Sequence, residues 1–312
     1  MKHKAKNGRE EVRKMAEKGL TQVVEAKGKK HKKDSYFRGV IRRLRKNKSA
    51  MAGLFIFLAL VVLGLLAPLI APHDPNEMNL LNAFQWPSKE HWFGTDNYGR
   101  DLFSRMLYGA RYSLEIGVWV QVFGISIGVV LGSIIGYFGG KVDMILLRLV
   151  DILQALPGLL LAIIISSALG TGFINTIIAL GISYIPSACR MIRAQFLSQR
   201  EKEFVEGAKS INCSTTRLIF KHILPSALSP IIVQVTFGIG VTIMSAAALS
   251  YIGLGVQPPT AEWGAILVAG KDYLRQYPYL ILIPGSCIAI LVLGLNMFGD
   301  GLRDAMDPKL KN

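Results

Sequence analysis

Cysteine is scarce in this sequence: Cys189, Cys213 and Cys287 stand far apart, each in or beside an apolar run. That spacing offers neither a disulfide framework nor a set of metal thiolates. The five histidines are scattered as well, so the sequence marks no metal site. Acid is short, with 21 Asp+Glu against 36 Lys+Arg and a formal charge of +15. Charge of either sign is nearly missing from the middle of several long apolar runs, where an ion-driven transporter would need an ionisable coupling site. A phosphate loop is missing too. Gly136-(x)2-Gly139-Gly140-Lys141-Val142 lacks both the Gly-(x)4-Gly-Lys-Ser/Thr spacing and the hydroxyl for magnesium, and reads as a turn. No nucleophile–base or paired-carboxylate arrangement stands out, so the chain is expected to be no enzyme and to hold no cofactor of its own.

What is present is apolar sequence: 51% of the 312 residues are hydrophobic. Several runs reach the roughly 20 residues that cross a bilayer as a helix. The spacing predicts an all-α membrane protein with six transmembrane helices. The runs are Ala50 to Ala71, Tyr112 to Phe138, Met144 to Leu169, Phe173 to Cys189, Ser226 to Tyr251 and Tyr279 to Phe298. The expected division is a basic tail over 1–49, a first transmembrane helix over 50–72 and an extracytoplasmic loop with an amphipathic segment over 73–111. A five-helix core over 112–300 follows, holding a cytoplasmic loop at 200–224, and 301–312 form the C-terminus. No secretory signal is expected, because the leading charged stretch is too long and no cleavage-like segment follows the first run.

Basic residues set the orientation. The tail alone carries 18 Lys+Arg and only five acids; the tail, Lys141, the 190–222 segment and the C-terminus together carry 29, against six on the other side. Both termini are therefore expected to be cytoplasmic. Such an excess beside an apolar run fits anionic lipid headgroups, and no nucleic-acid partner is expected.

Four glycines, Gly124, Gly128, Gly132 and Gly136, recur at four-residue spacing in the second run. They share one helix face and invite a close helix approach, within this chain in preference to a subunit contact. Arg148 and Asp151, three apart in the third run, are read as pairing or packing on a neighbouring helix in preference to lining a path. Pro157, Pro186 and Pro225 are candidate hinges, or static kinks. Arg111 and Glu115, one turn apart, read as a local pair.

The 33 residues from Arg190 to His222 are too many for a turn. Glu203 to Ile211 reads as a short helix, with Asn212 tolerating the left-handed conformation that ends one. Ser214 or Thr215 can cap a second helix ahead of Leu224-Pro225. On these residues alone, the segment is either a projecting pair of helices or an interfacial amphipathic piece without a partner.

The stretch Glu206-Gly-Ala208-(x)3-Asn212-(x)10-Ile223-Leu-Pro225 resembles the cytoplasmic loop of bacterial ABC import permeases. That pattern has Ala where Gly207 stands and Gly where Asn212 stands. Further stretches resemble one branch of the family, the C-type permease subunit of dipeptide and oligopeptide (and nickel) importers. They include His91-Trp-Phe-Gly-Thr-Asp-Asn-Tyr-Gly-Arg-Asp101, Ser104 to Leu114 and Val150 to Pro157, then Tyr251-Ile-Gly-Leu-Gly255, Glu262-Trp-Gly264 and Gly299 to Asp304. The likeness covers about residues 50–310.

The resemblance implies a type I ABC importer permease fold in the bacterial cytoplasmic membrane, forming half of a peptide passage. It implies a second, homologous permease, two cytoplasmic subunits that bind ATP and Mg, and an extracytoplasmic substrate-binding protein. It assigns Glu203, Glu206, Gly207, Ala208, Asn212, Ile223, Leu224 and Pro225 to the loop that engages an ATPase. A nickel-chelate or other oligopeptide-like solute remains an alternative cargo. A secondary transporter or channel, and a structural membrane subunit without a transport role, are the two competing classes.

Overall fold

The structure is a computed structural model that describes residues 36–307. Most of the basic tail, residues 1–35, and the last five residues lie outside the described residues. The chain divides into two units, residues 1–43 and 44–312. Helix α1 (Tyr36–Lys46) crosses their boundary. Asn47 then starts α2 (Lys48–Leu65), its side chain accepting the Ala50 N–H at 3.1 Å, and a single turn, α3 (Ala67–Ile70), follows. The long helices of the second unit are α4 (Leu102–Phe138), α7 (Phe173–Arg200), α9 (Thr215–Tyr251) and α11 (Tyr279–Met306). Between them lie α5 (Gly140–Gln154), α6 (Gly158–Leu169), α8 (Glu203–Ser210) and α10 (Trp263–Gly270). Among the described residues five helices are long and apolar enough to cross a membrane.

The expected third span is not one helix. It is broken into α5 and α6, bent by 79°. Pro157 disfavours helical backbone at Leu156 and offers no N–H to continue the ladder, so the helix stops at Gln154 and restarts after the proline. Two other boundaries also move. The second span begins ten residues early, at Leu102, because the Asp101 carboxylate accepts the Ser104 N–H at 2.8 Å and Leu102, Met106 and Ala110 bury their faces. The fourth runs on past Cys189 to Arg200, because its arginines find partners: Arg193 makes a two-pronged bond to Asp143 of α5 at 2.6 and 2.8 Å. The C-terminal segment expected from residue 301 is likewise helical as far as Met306.

Helix α4 packs along α7. The four-residue glycine stripe lies in this seam: a Cβ on Gly124, Gly128, Gly132 or Gly136 would come within 2.6 to 2.7 Å of Tyr184, Ala188, Cys189 or Phe196. Helix α2 crosses α11 where Gly53 meets the Gly294 carbonyl, with no room for a methyl on either. The outer face of α2 is bare, with Phe55 74% and Leu65 65% exposed. A run so apolar and so exposed is stable in lipid and not in water.

The end remote from α8 is closed by a polar cap built from residues 71–101 and 252–278. Tyr279 donates its hydroxyl to the carbonyls of Gln85 and Thr95, and Thr95 bonds the Asn82 carbonyl. Arg100 donates to Asp96 at 2.7 Å, and Trp263 donates its indole N–H to Met106 O at 2.9 Å. Glu262, wholly buried, caps α10 by accepting the N–H groups of Gly264 and Ala265 and the Ser113 hydroxyl. Burial pushes this carboxyl above the usual range, against the pull of those donors.

Candidate functional site

Opposite the cap, the chain leaves α7 at Arg200 and returns in α9, and between them it builds a compact projection. Helix α8 carries Glu203 and Glu206 in its first turn, where the helix dipole favours acid, and Lys209 in its last. Its inner face is Val205 and Ala208. These pack with Ile192 and Phe196 of α7 and with Leu218, Ile219 and Ile223 of α9, all buried. One apolar core therefore joins α8 to two long helices.

Asn212 ends the helix at φ +56°, with its N–H on the Lys209 carbonyl and the Cys213 N–H returning to Ala208 O. Ser214 takes the N-cap position of the next helix without a side-chain cap bond. Residues Leu218–Ile223 form a π turn just ahead of Pro225. The proline offers no N–H and its ring crowds the preceding turn, which a widened turn accommodates. Ile223 is buried, Leu224 half-buried and Pro225 exposed.

The outer face of the projection is mixed. Glu203, Glu206, Gly207 and Lys209 are exposed, and so are three large apolar side chains, Phe204, Ile211 (80%) and Phe220. A Cβ on Gly207 would touch nothing within 4 Å.

Of the two expectations for Arg148 and Asp151, pairing with each other is not made, while engagement of a neighbouring helix is made by Asp151 alone. Asp151 pairs with Arg190 of α7, while Arg148 is exposed and has no hydrogen bond or ion pair among the described residues. A second acid of α5, Asp143, pairs with Arg193, and sequence reasoning passed it over because that arginine lies 50 residues away. Pro157 sits exposed at the α5–α6 break. Arg111 and Glu115 do form a local pair, at 2.9 Å.

Two of the scattered histidines come together. His73, His91 and Asp101 place ligand-type atoms within 4.8 Å of one another, in the cap. Each already has a partner: His91 Nδ1 meets Asp101 Oδ1 at 2.9 Å, Asp101 Oδ2 caps α4, and His73 Nε2 meets the Glu90 carbonyl. The cluster serves as a lock between the cap and the start of α4.

Residues 128–312 match the family described as binding-protein-dependent transport system inner membrane component. Residues 35–87 match the N-terminal TM domain of oligopeptide transport permease C. The dipeptide transport system permease protein DppC of Alkalihalophilus pseudofirmus is 45% identical over 278 residues, 89% of this chain and 91% of that one. The oligopeptide transport system permease protein OppC of Bacillus subtilis is 42% identical over 277 residues, with the same shares covered. The glutathione transport system permease protein GsiD of Escherichia coli is 43% identical over 271 residues, covering 86% and 89%. A chain of the methionine ABC transporter MetNI, in inward facing conformations, superposes with a TM-score of 0.54 at 18% identity. It covers 65% of this chain and 96% of that one, a likeness of fold alone.

Proposed function

Because the chain belongs to the family of binding-protein-dependent transport system inner membrane components, we propose that it forms half of the membrane passage of an ATP-driven peptide importer. The chain is a multi-pass permease of the ABC importer class and no enzyme, so its energy and its solute are brought by ATPase and binding-protein partners. The finer reading gives it a second, homologous permease, two cytoplasmic subunits binding ATP and Mg, and a binding protein at the capped end. Both termini then lie in the cytoplasm, as the distribution of basic residues supports.

One observation carries the mechanism: α8 shares a single apolar core with α7 and α9. A push on α8 is delivered to two spans at once, because packed interiors transmit displacement and do not absorb it. Phe204, Ile211 and Phe220 are the groups an ATPase groove would cover, with Glu203 and Glu206 available to basic side chains there. The break at 155–157 lets α5 and α6 swing separately as α7 moves. The alternation of inward- and outward-open states follows from that motion. Peptide is the cargo supported by the dipeptide and oligopeptide relatives, and the glutathione relative supports a tripeptide-like solute within the same class.

The test is expression of the chain with a second permease, two ATPases and the binding protein, and reconstitution of the purified assembly. ATP-dependent accumulation of a labelled tripeptide is expected, and Val205→Asp is expected to abolish it. Accumulation without ATP, or none from an intact assembly, contradicts the reading.

A further inference from the structure

Buried polar side chains midway along the long helices have no part in the coupling projection. Gln121 of α4 is 1% exposed, yet its Oε1 has no hydrogen-bond partner. Its Nε2 donates to Thr242 of α9 at 2.8 Å. Gly238 makes room for it, since a Cβ there would come within 2.5 Å of the Gln121 Cδ and 2.7 Å of its Nε2. The amide is thus held in one place with one acceptor unused. A buried acceptor left unmade is costly and is rarely kept without a ligand or water to meet it.

That amide borders a cavity of about 360 Å3 shared by α4, α6, α7 and α9, whose polar lining includes Ser183, Tyr184, Ser187, Gln234 and Thr242. The volume is within the range of small-molecule sites, about 300–1,000 Å3. The Tyr184 hydroxyl is buried there without a well-formed bond, the Gln234 amide being its polar neighbour. No Asp, Glu, Lys or Arg is among the lining residues. A second cavity, of about 450 Å3, runs on along α9 past Ser229 and Pro230 to Arg303 and Asp307 at the end of α11. Gln234 and Phe237 border both cavities. The Phe237 ring has its place because Gly299 of α11 lacks a Cβ, which would meet the ring at 2.9 to 3.1 Å.

We propose that the two cavities are this subunit's share of a main-chain-reading passage for short peptides, with Gln121 and Gln234 bonding the peptide backbone and the Phe237 ring as the constriction between the halves. The inference rests on the importer reading above. A peptide backbone offers a donor and an acceptor at every residue whatever its side chains. Neutral amide and hydroxyl walls satisfy those groups, and the first cavity, without charge of its own, leaves side chains of either sign unopposed, while Arg303 and Asp307, one of each sign, stand at the far end of the second. Selection among peptides then falls to the binding protein, and this subunit supplies passage.

The test puts charge into the passage at a half-buried position. In the reconstituted complex with its binding protein unchanged, uptake is compared for Ala-Lys-Ala, Ala-Ala-Ala and Ala-Asp-Ala. Gln234→Glu should raise the ratio of the lysine to the aspartate peptide roughly fivefold or more, and Gln234→Lys should lower it by a similar factor. A residue that only packs would leave the ratio unmoved. Unchanged ratios in both variants overturn the proposal while leaving the importer reading intact; absence of any uptake by the unsubstituted complex is failure of that reading instead. Where both variants lose all uptake, Ser187→Cys decides. The proposal requires labelling by a hydrophilic thiol reagent above the background of the three native cysteines, and protection by peptide-loaded binding protein with ATP. A site that is unlabelled, or labelled without protection, overturns it.

Discussion

Asn212 and Gly207 exchange the residue types found in the family's loop, and the structure shows what each exchange does. Asn212 holds φ +56° at the end of α8, a conformation glycine adopts freely and asparagine tolerates. Asn212→Gly should therefore leave ATP-driven uptake unchanged, whereas Asn212→Val should cost about 1–2 kcal/mol locally and loosen α8. Hydrogen exchange of the 203–211 amides would register the difference as faster exchange in the valine variant only. Gly207 faces open space at mid-helix, so Gly207→Ala should strengthen α8 by about 1 kcal/mol. The same amides should then exchange more slowly, with assembly intact. At the capped end Glu262 meets four backbone and side-chain donors in a buried site. Glu262→Ala removes the cap of α10, a loss of about 0.5–2 kcal/mol before the orphaned N–H groups are counted, and should lower the melting temperature of the purified chain.

Elements act through their seams. Glycine along α4 is read by α7 and not by lipid, so Gly132→Leu should separate the two helices, because the Cys189 carbonyl and Ile192 already occupy that space. The expected result is a sharp fall in folded yield, measured by monodisperse recovery in detergent, while Gly140→Ala, with nothing within 4 Å but at φ +54°, should lower yield far less. Helix α8 is held by Val205 and Ala208 alone on its inner face. Val205→Asp would bury an unpaired carboxylate against Leu218 and Ile223. Binding-protein-stimulated ATP hydrolysis should then fall by roughly tenfold or more, with the long helices preserved by circular dichroism. A variant that kept full stimulation would show that α8 is not the transmitting element.

At the scale of the whole molecule, the long apolar runs made five of the spans legible, since length and hydropathy mark a segment able to cross. The projection after α7 was legible too, through charge, a left-handed asparagine and a downstream proline. What stayed hidden was long-range. The extension of α7 to Arg200 depends on acids of α5, so its arginines looked like a loop when read along the chain. The break of the third span needed more than Pro157, because a proline is equally compatible with a kink inside one continuous span. Gln121 and Thr242 lie 121 residues apart, and nothing near either announces the cavity they border. His73 and His91 likewise meet only when the cap folds over α4. The second unit is a bundle with a polar cap at one end, a rigid projection at the other and between them a hollow whose inner cavity is lined without charge. The most direct measurement is accumulation of labelled tripeptide by proteoliposomes bearing the full complex, with ATP inside or withheld and with Val205 intact or replaced by Asp. Uptake against a gradient only with ATP and only with Val205 is the predicted result; uptake by the Val205→Asp complex at the unsubstituted rate would contradict the account.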